Sequence, residues 1–230
     1  MDKIPFTVYD FFAYLSSGAV LVATADYIWG LGLLANKEVS PILGVALIIL
    51  AYVTGHIIAH FSSWLLEQTI VHRVLKSPSV LLLGGEPRWN LFALVFRNYH
   101  RPLSKSTQQQ VREQAAARNC KAKGEDLFQH AYPIVTSNER FQVRLDDFRN
   151  QYGFARNISF ALFTSAVAVC VAYGLGHAVR LRWAILSAVG GVGMFYRFLK
   201  FFRQYSYELL LRYSELPNSE VSRNTFAGAQ

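Results

Sequence analysis

The sequence predicts an all-α, polytopic membrane protein with four transmembrane helices and a helical cytoplasmic domain between helices 2 and 3. Hydrophobic residues make up 52% of the 230 positions, and the mean hydropathy is +0.20. Four apolar segments approach the length of about 20 residues that a helix needs to cross hydrocarbon about 30 Å thick. None shows the ten-residue alternation that is typical of transmembrane β-strands, so helices are favoured over a barrel.

The first pair of spans is predicted within residues 1–71, as an N-terminal hairpin. The spans lie at about residues 11–34 and 41–62, and a tight turn at 36–40 connects them. Because this connector is short, the two helices are expected to lie side by side and antiparallel.

A basic helical domain is predicted over residues 72–155. Between Ser63 and Arg156 there are fourteen Lys or Arg against eight Asp or Glu. Thr136 to Glu139 has the form of a capping box, and apolar residues follow it at helical spacing. The positive charge predicts contact with a cytoplasmic protein or an anionic ligand, and nucleic acid is kept among the possible ligands. The candidate contact residues are Arg97, Arg101, Lys105, Arg112, Arg118, Lys121 and Lys123.

The second hairpin is predicted over residues 156–202, with spans at about 157–176 and 181–202. Arg197 and Lys200 interrupt the last span, but long basic side chains near a helix end can reach the membrane interface. These two residues therefore do not remove the fourth span from the prediction.

The C-terminal tail is predicted over residues 203–230. It is expected to begin as an amphipathic continuation of the fourth span and to be disordered beyond Pro217, where the sequence becomes polar.

The distribution of basic residues predicts the orientation. Twenty Lys and Arg lie on the proposed inner side, and three lie in the two short connectors: Lys37, Arg180 and Arg182. Positive residues favour the cytoplasmic side. We therefore expect a multi-pass protein of the bacterial inner membrane with both termini in the cytoplasm.

A stripe of polar side chains follows the second span. On a helix that advances 100° per residue, its members fall within a sector of roughly 80°. Polar and ionisable groups are costly inside a membrane, so they usually face a bundle interior, a partner or a cavity. The polar stripe consists of Tyr52, His56, His60, Ser63 and Glu67.

Asp26 joins the polar stripe as a candidate because it is the one acidic residue in the middle of the first span. Counted from the tight outer turn, it is expected level with residues 49–52, about one turn outward of His56. Pore lining, hydrogen bonding between helices and metal binding are all compatible with this pattern. His56 and His60 have the i, i+4 spacing that lets two imidazoles reach one zinc ion.

Small residues recur at helical spacing on spans one, three and four, and such faces let helices approach closely. They predict close packing either within the chain or between copies of it. We expect a homo-oligomer in the lipid bilayer, held partly by spans three and four around Ala168 and Gly191.

The favoured function is an oligomeric, channel-like membrane subunit or effector of a prokaryotic defence system, on analogy of size and layout. The sequence lacks a phosphate loop, a nucleophile elbow and a zinc-type cysteine pair, so no enzyme class is indicated and no cofactor is expected. One alternative is an intramembrane metal-dependent hydrolase that uses His56, His60 and Asp26, with zinc as its cofactor. A second alternative is a structural subunit of a larger membrane complex.

Overall fold

A computed structural model describes residues 8–34, 40–89 and 94–216 of the chain. Within these ranges the chain is helical and contains no strand. Four of the helices are long and apolar enough to cross a membrane. The predicted all-α class and the four membrane-spanning helices are thereby confirmed. Most of the predicted turn at 36–40 and the predicted disorder beyond Pro217 lie outside the described residues.

The helices follow one another along the chain with short connections. Their bounds are α1 Val8–Trp29, α2 Pro41–Ser62, a π-helix at Ser63–Leu75, α3 Pro78–Leu82, α4 Lys105–Ala117, α5 Glu125–Thr136, α6 Glu139–Gly174 and α7 Leu181–Glu215. Helix α2 has the predicted bounds of span two. Helices α6 and α7 contain spans three and four and extend beyond them.

The two ends of the first connector explain one correct and one incorrect boundary. At the start of α2, the Ser40 hydroxyl accepts a hydrogen bond from the Leu43 N–H at 3.2 Å, and Pro41 occupies the first helical turn. The predicted end of span one at residue 34 is wrong, because α1 ends at Trp29. Gly30 and Gly32 both have positive φ, a conformation that terminates an α-helix.

The chain divides into two compact units. Unit 1 comprises Met1–Ile70 and Asn150–Leu199, and unit 2 comprises Val71–Arg149 and Lys200–Gln230. Unit 1 therefore contains the apolar segments of all four candidate spans. That unit 2 lies on the cytoplasmic side stays a prediction.

In unit 1, α1 and α2 cross at two glycines that allow backbone contact. A Cβ atom on Gly18 would lie 1.7 Å from the carbonyl oxygen of Ala51, and one on Gly55 would lie 1.9 Å from that of Tyr14. No side chain fits at either position. The crossing thus depends on small residues, in the manner of small-residue motifs in membrane helices.

Helices α6 and α7 also pack through small residues within the same chain. The Ser159 hydroxyl donates to the Gly191 carbonyl at 2.9 Å, and a Cβ atom on Gly191 would lie 2.8 Å from the Phe163 ring. Ser165 is buried and accepts a 2.8 Å hydrogen bond from Thr24 of α1. Two of the small-residue faces in the sequence are therefore occupied inside unit 1.

Unit 2 has the opposite distribution of side chains. Large aliphatic and aromatic residues from four helices are fully buried in it, among them Val111, Leu127, Val135, Leu209 and Tyr213. A buried carboxylate, Glu208, is satisfied by Arg144 at 2.9 Å and by Arg212 at 3.0 Å. This is the core of an ordinary helical domain.

Candidate functional site

The middle of the polar stripe is part of an aromatic cluster in unit 1. The imidazole of His56 stacks on the Tyr14 ring of α1, with centroids 4.1 Å apart and planes 25° apart. Tyr52 meets His56 edge to face at 4.7 Å, and Phe11 lies 5.3 Å from Tyr52. Stacking between α1 and α2 therefore holds His56 and Tyr52 in fixed positions.

His60 lies on the side of α2 that is turned away from the rest of unit 1. The buried residues of α2 recur at four-three-four spacing, at Ala51, Gly55, Ile58 and Ser62. At 100° per residue His60 falls roughly opposite their mean direction. It is exposed, as is the apolar residue Val53 on the same face. An ionisable side chain thus sits on an otherwise apolar outer surface.

The end of the polar stripe forms an ion pair that the sequence did not reveal. Glu67, in the π-helix, is bonded to Arg156 of α6, and the two side chains are only 18% and 14% exposed. The Ser63 hydroxyl lies 3.5 Å from the Glu67 carboxylate. A carboxylate and a guanidinium that lose most of their water stabilise each other only as a pair.

A second polar contact lies beside this ion pair. The buried Ser62 hydroxyl donates to the Asn157 side-chain oxygen at 2.7 Å, and Arg156 approaches the same oxygen at 3.4 Å. The residues Ser62, Ser63, Glu67, Arg156 and Asn157 are called the Glu67–Arg156 cluster below. Its signal in the sequence was an arginine and an asparagine at the start of span three, opposite in charge to the glutamate that ends span two.

The π-helix changes which side chains share a face. From Ser63 onward the backbone makes wider turns, and the Thr69 hydroxyl bonds to the carbonyl of Trp64, five residues before it, at 3.1 Å. The predicted stripe assumed 100° per residue throughout, and that assumption ends at Ser62. Ser63 and Glu67 nevertheless stay in contact.

Asp26 does not meet the histidines, which corrects its predicted level. Its carboxylate accepts hydrogen bonds from the N–H groups of Leu33 at 2.8 Å and Leu34 at 3.2 Å, and so holds the turn after α1. Tyr14, which stacks on His56, lies twelve residues earlier in α1, or about 18 Å along the helix axis. The predicted level was wrong because α1 ends early and the connector is longer than a tight turn.

The structure does not assemble the ligand set of the hydrolase alternative. His56 and His60 are one turn apart, but Asp26 is too far away to complete a site with them. In the described ranges no group of three or more His, Cys, Asp or Glu side chains is placed to hold a metal ion.

The predicted basic contact residues lie in unit 2 with two different environments. Arg97, Arg101, Lys105, Lys121 and Lys123 are exposed. Arg112 donates to the Leu83 carbonyl at 3.3 Å, and Arg118 bonds to Gln114 and lies over the Tyr213 ring at 5.3 Å. Across the described part of the chain none of these seven bases forms an ion pair, whereas Arg144 and Arg212 do.

Comparisons with protein-family models, with curated proteins and with solved structures found no match to this chain. Its function is therefore argued from its own residues.

Proposed function

We propose that this chain is a non-enzymatic subunit of a homo-oligomeric, channel-like assembly in the membrane, in which α2 of each copy lines a path between copies. Unit 2 would receive an anionic ligand or partner. The observation that carries the proposal is the position of His60 on the outer, apolar face of α2, opposite the buried residues of that helix.

A second copy is the partner that best explains this position. An imidazole that faces lipid is costly, whereas one that faces another copy or a water-filled path is not. Rotational symmetry brings the same residue of each copy to one axis. A ring of chains with α2 innermost would therefore gather the His60 side chains around a shared path, with His56 one turn away.

A path through the bundle of a single chain is less well supported. Between α1 and α2 the backbones are in contact at Gly18 and Gly55, which leaves no room for water or ions there. The small residues of α6 and α7 are used within the chain, so the predicted contact between copies through Gly191 and Ala168 is replaced in this proposal by α2.

The cellular setting follows from the charge distribution. We propose the bacterial inner membrane, with both termini and unit 2 in the cytoplasm, because twenty of the twenty-three Lys and Arg lie in those parts of the chain. A role as an effector of prokaryotic defence rests on analogy of size and layout alone.

Thiol cross-linking tests the contact between copies. In a background with Cys120→Ser and Cys170→Ser, His60→Cys treated in membranes with copper phenanthroline should give a covalent dimer. Val167→Cys is the matched control, because this position is also exposed, at 62%, but lies on α6. No dimer from His60→Cys, or equal yields from the two positions, would contradict the proposal.

Ion flux tests the path itself. Proteoliposomes of the wild-type chain should leak a small ion, and His60→Leu should change that flux while the cross-linked interface still forms through Val53→Cys. Unaltered flux in His60→Leu, or no flux in the wild type, would count against a path lined by α2.

A further inference from the structure

Three polar side chains in unit 2 come together without satisfying one another. Arg118 ends α4, His130 lies in α5 and Tyr213 lies near the end of α7. The rings of His130 and Tyr213 are 6.4 Å apart and nearly perpendicular, and the Arg118 guanidinium is 5.3 Å from the centre of the Tyr213 ring. These residues are called the Arg118–His130–Tyr213 cluster.

Two atoms of this cluster are buried without a hydrogen-bond partner in the described part of the chain. They are the Tyr213 hydroxyl oxygen and His130 Nε2, and Tyr213 is 0% exposed. A buried polar group left unsatisfied costs about 1–3 kcal/mol, so native proteins rarely keep one. Two such atoms in one cluster indicate a partner that comes from outside the chain.

The charge of the surroundings indicates an anion. Arg118 makes no ion pair within the described residues, and the two carboxylates of α7 nearest to Tyr213 in sequence, Glu208 and Glu215, are taken by other arginines. Asp126, one turn before His130, is exposed at the start of α5. The hydroxyl, the guanidinium and a protonated ring nitrogen are all donors.

Arg118 is held in place by the local backbone. Asn119 has φ +54° and the Cys120 N–H bonds to the Ala115 carbonyl at 2.8 Å, which is the Schellman ending of a helix. The Gln114 side chain donates to the Leu216 carbonyl at 2.8 Å, so the end of α4 is tied to the end of α7. The guanidinium is therefore prearranged beside Tyr213.

We propose that the Arg118–His130–Tyr213 cluster binds a phosphate group. A phosphate oxygen can accept from Tyr213 and His130 while the planar guanidinium of Arg118 neutralises its charge. Lys121 and Lys123 follow on the exposed segment after Arg118 and attract the same ligand. This inference deepens the proposed function, on whose anionic ligand it rests, by naming the ligand's chemistry and its site.

Thermal unfolding of the full chain in detergent tests the site with inorganic phosphate as the probe. At equal ionic strength, phosphate should raise the unfolding temperature above its value in chloride, in a saturable way. Tyr213→Phe and Arg118→Gln should each weaken the apparent affinity by about tenfold or more, the usual effect of losing a hydrogen bond to a charged group. Lys105→Gln, an exposed base at the start of α4, should leave the affinity unchanged.

Tyr213→Phe keeps the aromatic ring, so it should unfold in chloride at or above the wild-type temperature. A second titration uses phosphatidylglycerol in the same detergent and distinguishes a lipid headgroup from free phosphate. A response to either probe that is lost in both variants supports the site and identifies its source. No response to either probe, or a response retained in Tyr213→Phe and Arg118→Gln, would overturn it.

The failure of this site and the failure of the path can be told apart. The titration reports on unit 2 alone, whereas cross-linking at His60→Cys reports on α2 alone. Loss of the phosphate response with an intact cross-link would remove the site and leave the assembly standing.

Discussion

Unit 1 and unit 2 distribute their side chains in opposite ways. In unit 1 the helix contacts are made by glycine, alanine and serine, and large apolar residues such as Ile42, Val171 and Ile185 are exposed. In unit 2 the large apolar residues are inside and the bases are outside. The difference shows which solvent each part is built for: unit 1 for hydrocarbon, where close backbone packing replaces the hydrophobic effect, and unit 2 for water.

The largest expected effect comes from filling a glycine contact of unit 1. Gly55→Leu should prevent folding of the bundle, because even a Cβ atom would overlap the Tyr14 carbonyl. The control is Gly44→Leu on the same helix, where a Cβ atom meets nothing within 4 Å. Gel filtration and circular dichroism in detergent measure the outcome, and equal yields of folded protein from both variants would refute the close crossing.

The core of unit 2 should respond to truncation, and the outer surface of unit 1 should not. Leu209→Ala removes a fully buried side chain and should cost about 2–5 kcal/mol of stability. Ile185→Ala, at a position 63% exposed in unit 1, should cost almost nothing in detergent or lipid. Thermal unfolding of the two variants compares them, and a larger loss at Ile185 would reverse the assignment of solvents.

The Glu67–Arg156 cluster should show that a polar pair in unit 1 is worth more than one on the surface of unit 2. Arg156→Leu leaves the half-buried Glu67 carboxylate alone and should cost about 1.5–3 kcal/mol. Arg149→Leu breaks the more exposed pair with Asp146 and should cost less than about 1 kcal/mol.

A double variant makes this prediction specific to the pair. Glu67→Leu combined with Arg156→Leu should recover much of the stability lost in Arg156→Leu, because no charge is then left without its partner. Strictly additive losses in thermal unfolding would mean that the two side chains do not interact.

The smallest effect concerns alkaline stability in unit 2. Burial, and to a lesser extent the charge of Glu125, raises the pKa of Tyr99 well above its usual value, and its hydroxyl donates to the Lys76 carbonyl at 2.9 Å. The folded state thus holds this proton more tightly than the unfolded state, so stability is complete below about pH 10 and declines above it.

Tyr99→Phe should therefore cost about 1 kcal/mol at neutral pH through the lost hydrogen bond. It should also make the unfolding temperature less sensitive to pH above 10. A wild type and variant that lose stability in parallel through this range would show that Tyr99 is not the responsible group.

The sequence was a good guide to the structure wherever the determining interactions are local. The bounds of α2 followed from Ser40 and Pro41 with an apolar run behind them, and the four candidate spans followed from hydropathy. The end of α1 was misplaced because Gly30 and Gly32 sit in an apolar stretch, and hydropathy does not detect positive φ.

Contacts between distant parts of the chain could not be predicted in this way. Arg156 reaches Glu67 across 89 residues and Asn157 reaches Ser62 across 95, and nothing in their local sequence specifies the partner. The π-helix after Ser62 also has no composition of its own, although it decides which residues stay beside Glu67. The position of Asp26 was wrong for the same reason, since it depended on an assumed connector length.

The central claim is that α2, with His60 on its outer face, meets the same helix of other copies. Native mass spectrometry of the wild-type chain, released from membranes in a mild detergent, tests this claim most directly. The account predicts a closed assembly whose mass is a whole multiple, greater than one, of the 26.0 kDa chain. A particle of one chain, at concentrations where unit 1 is folded, would contradict it.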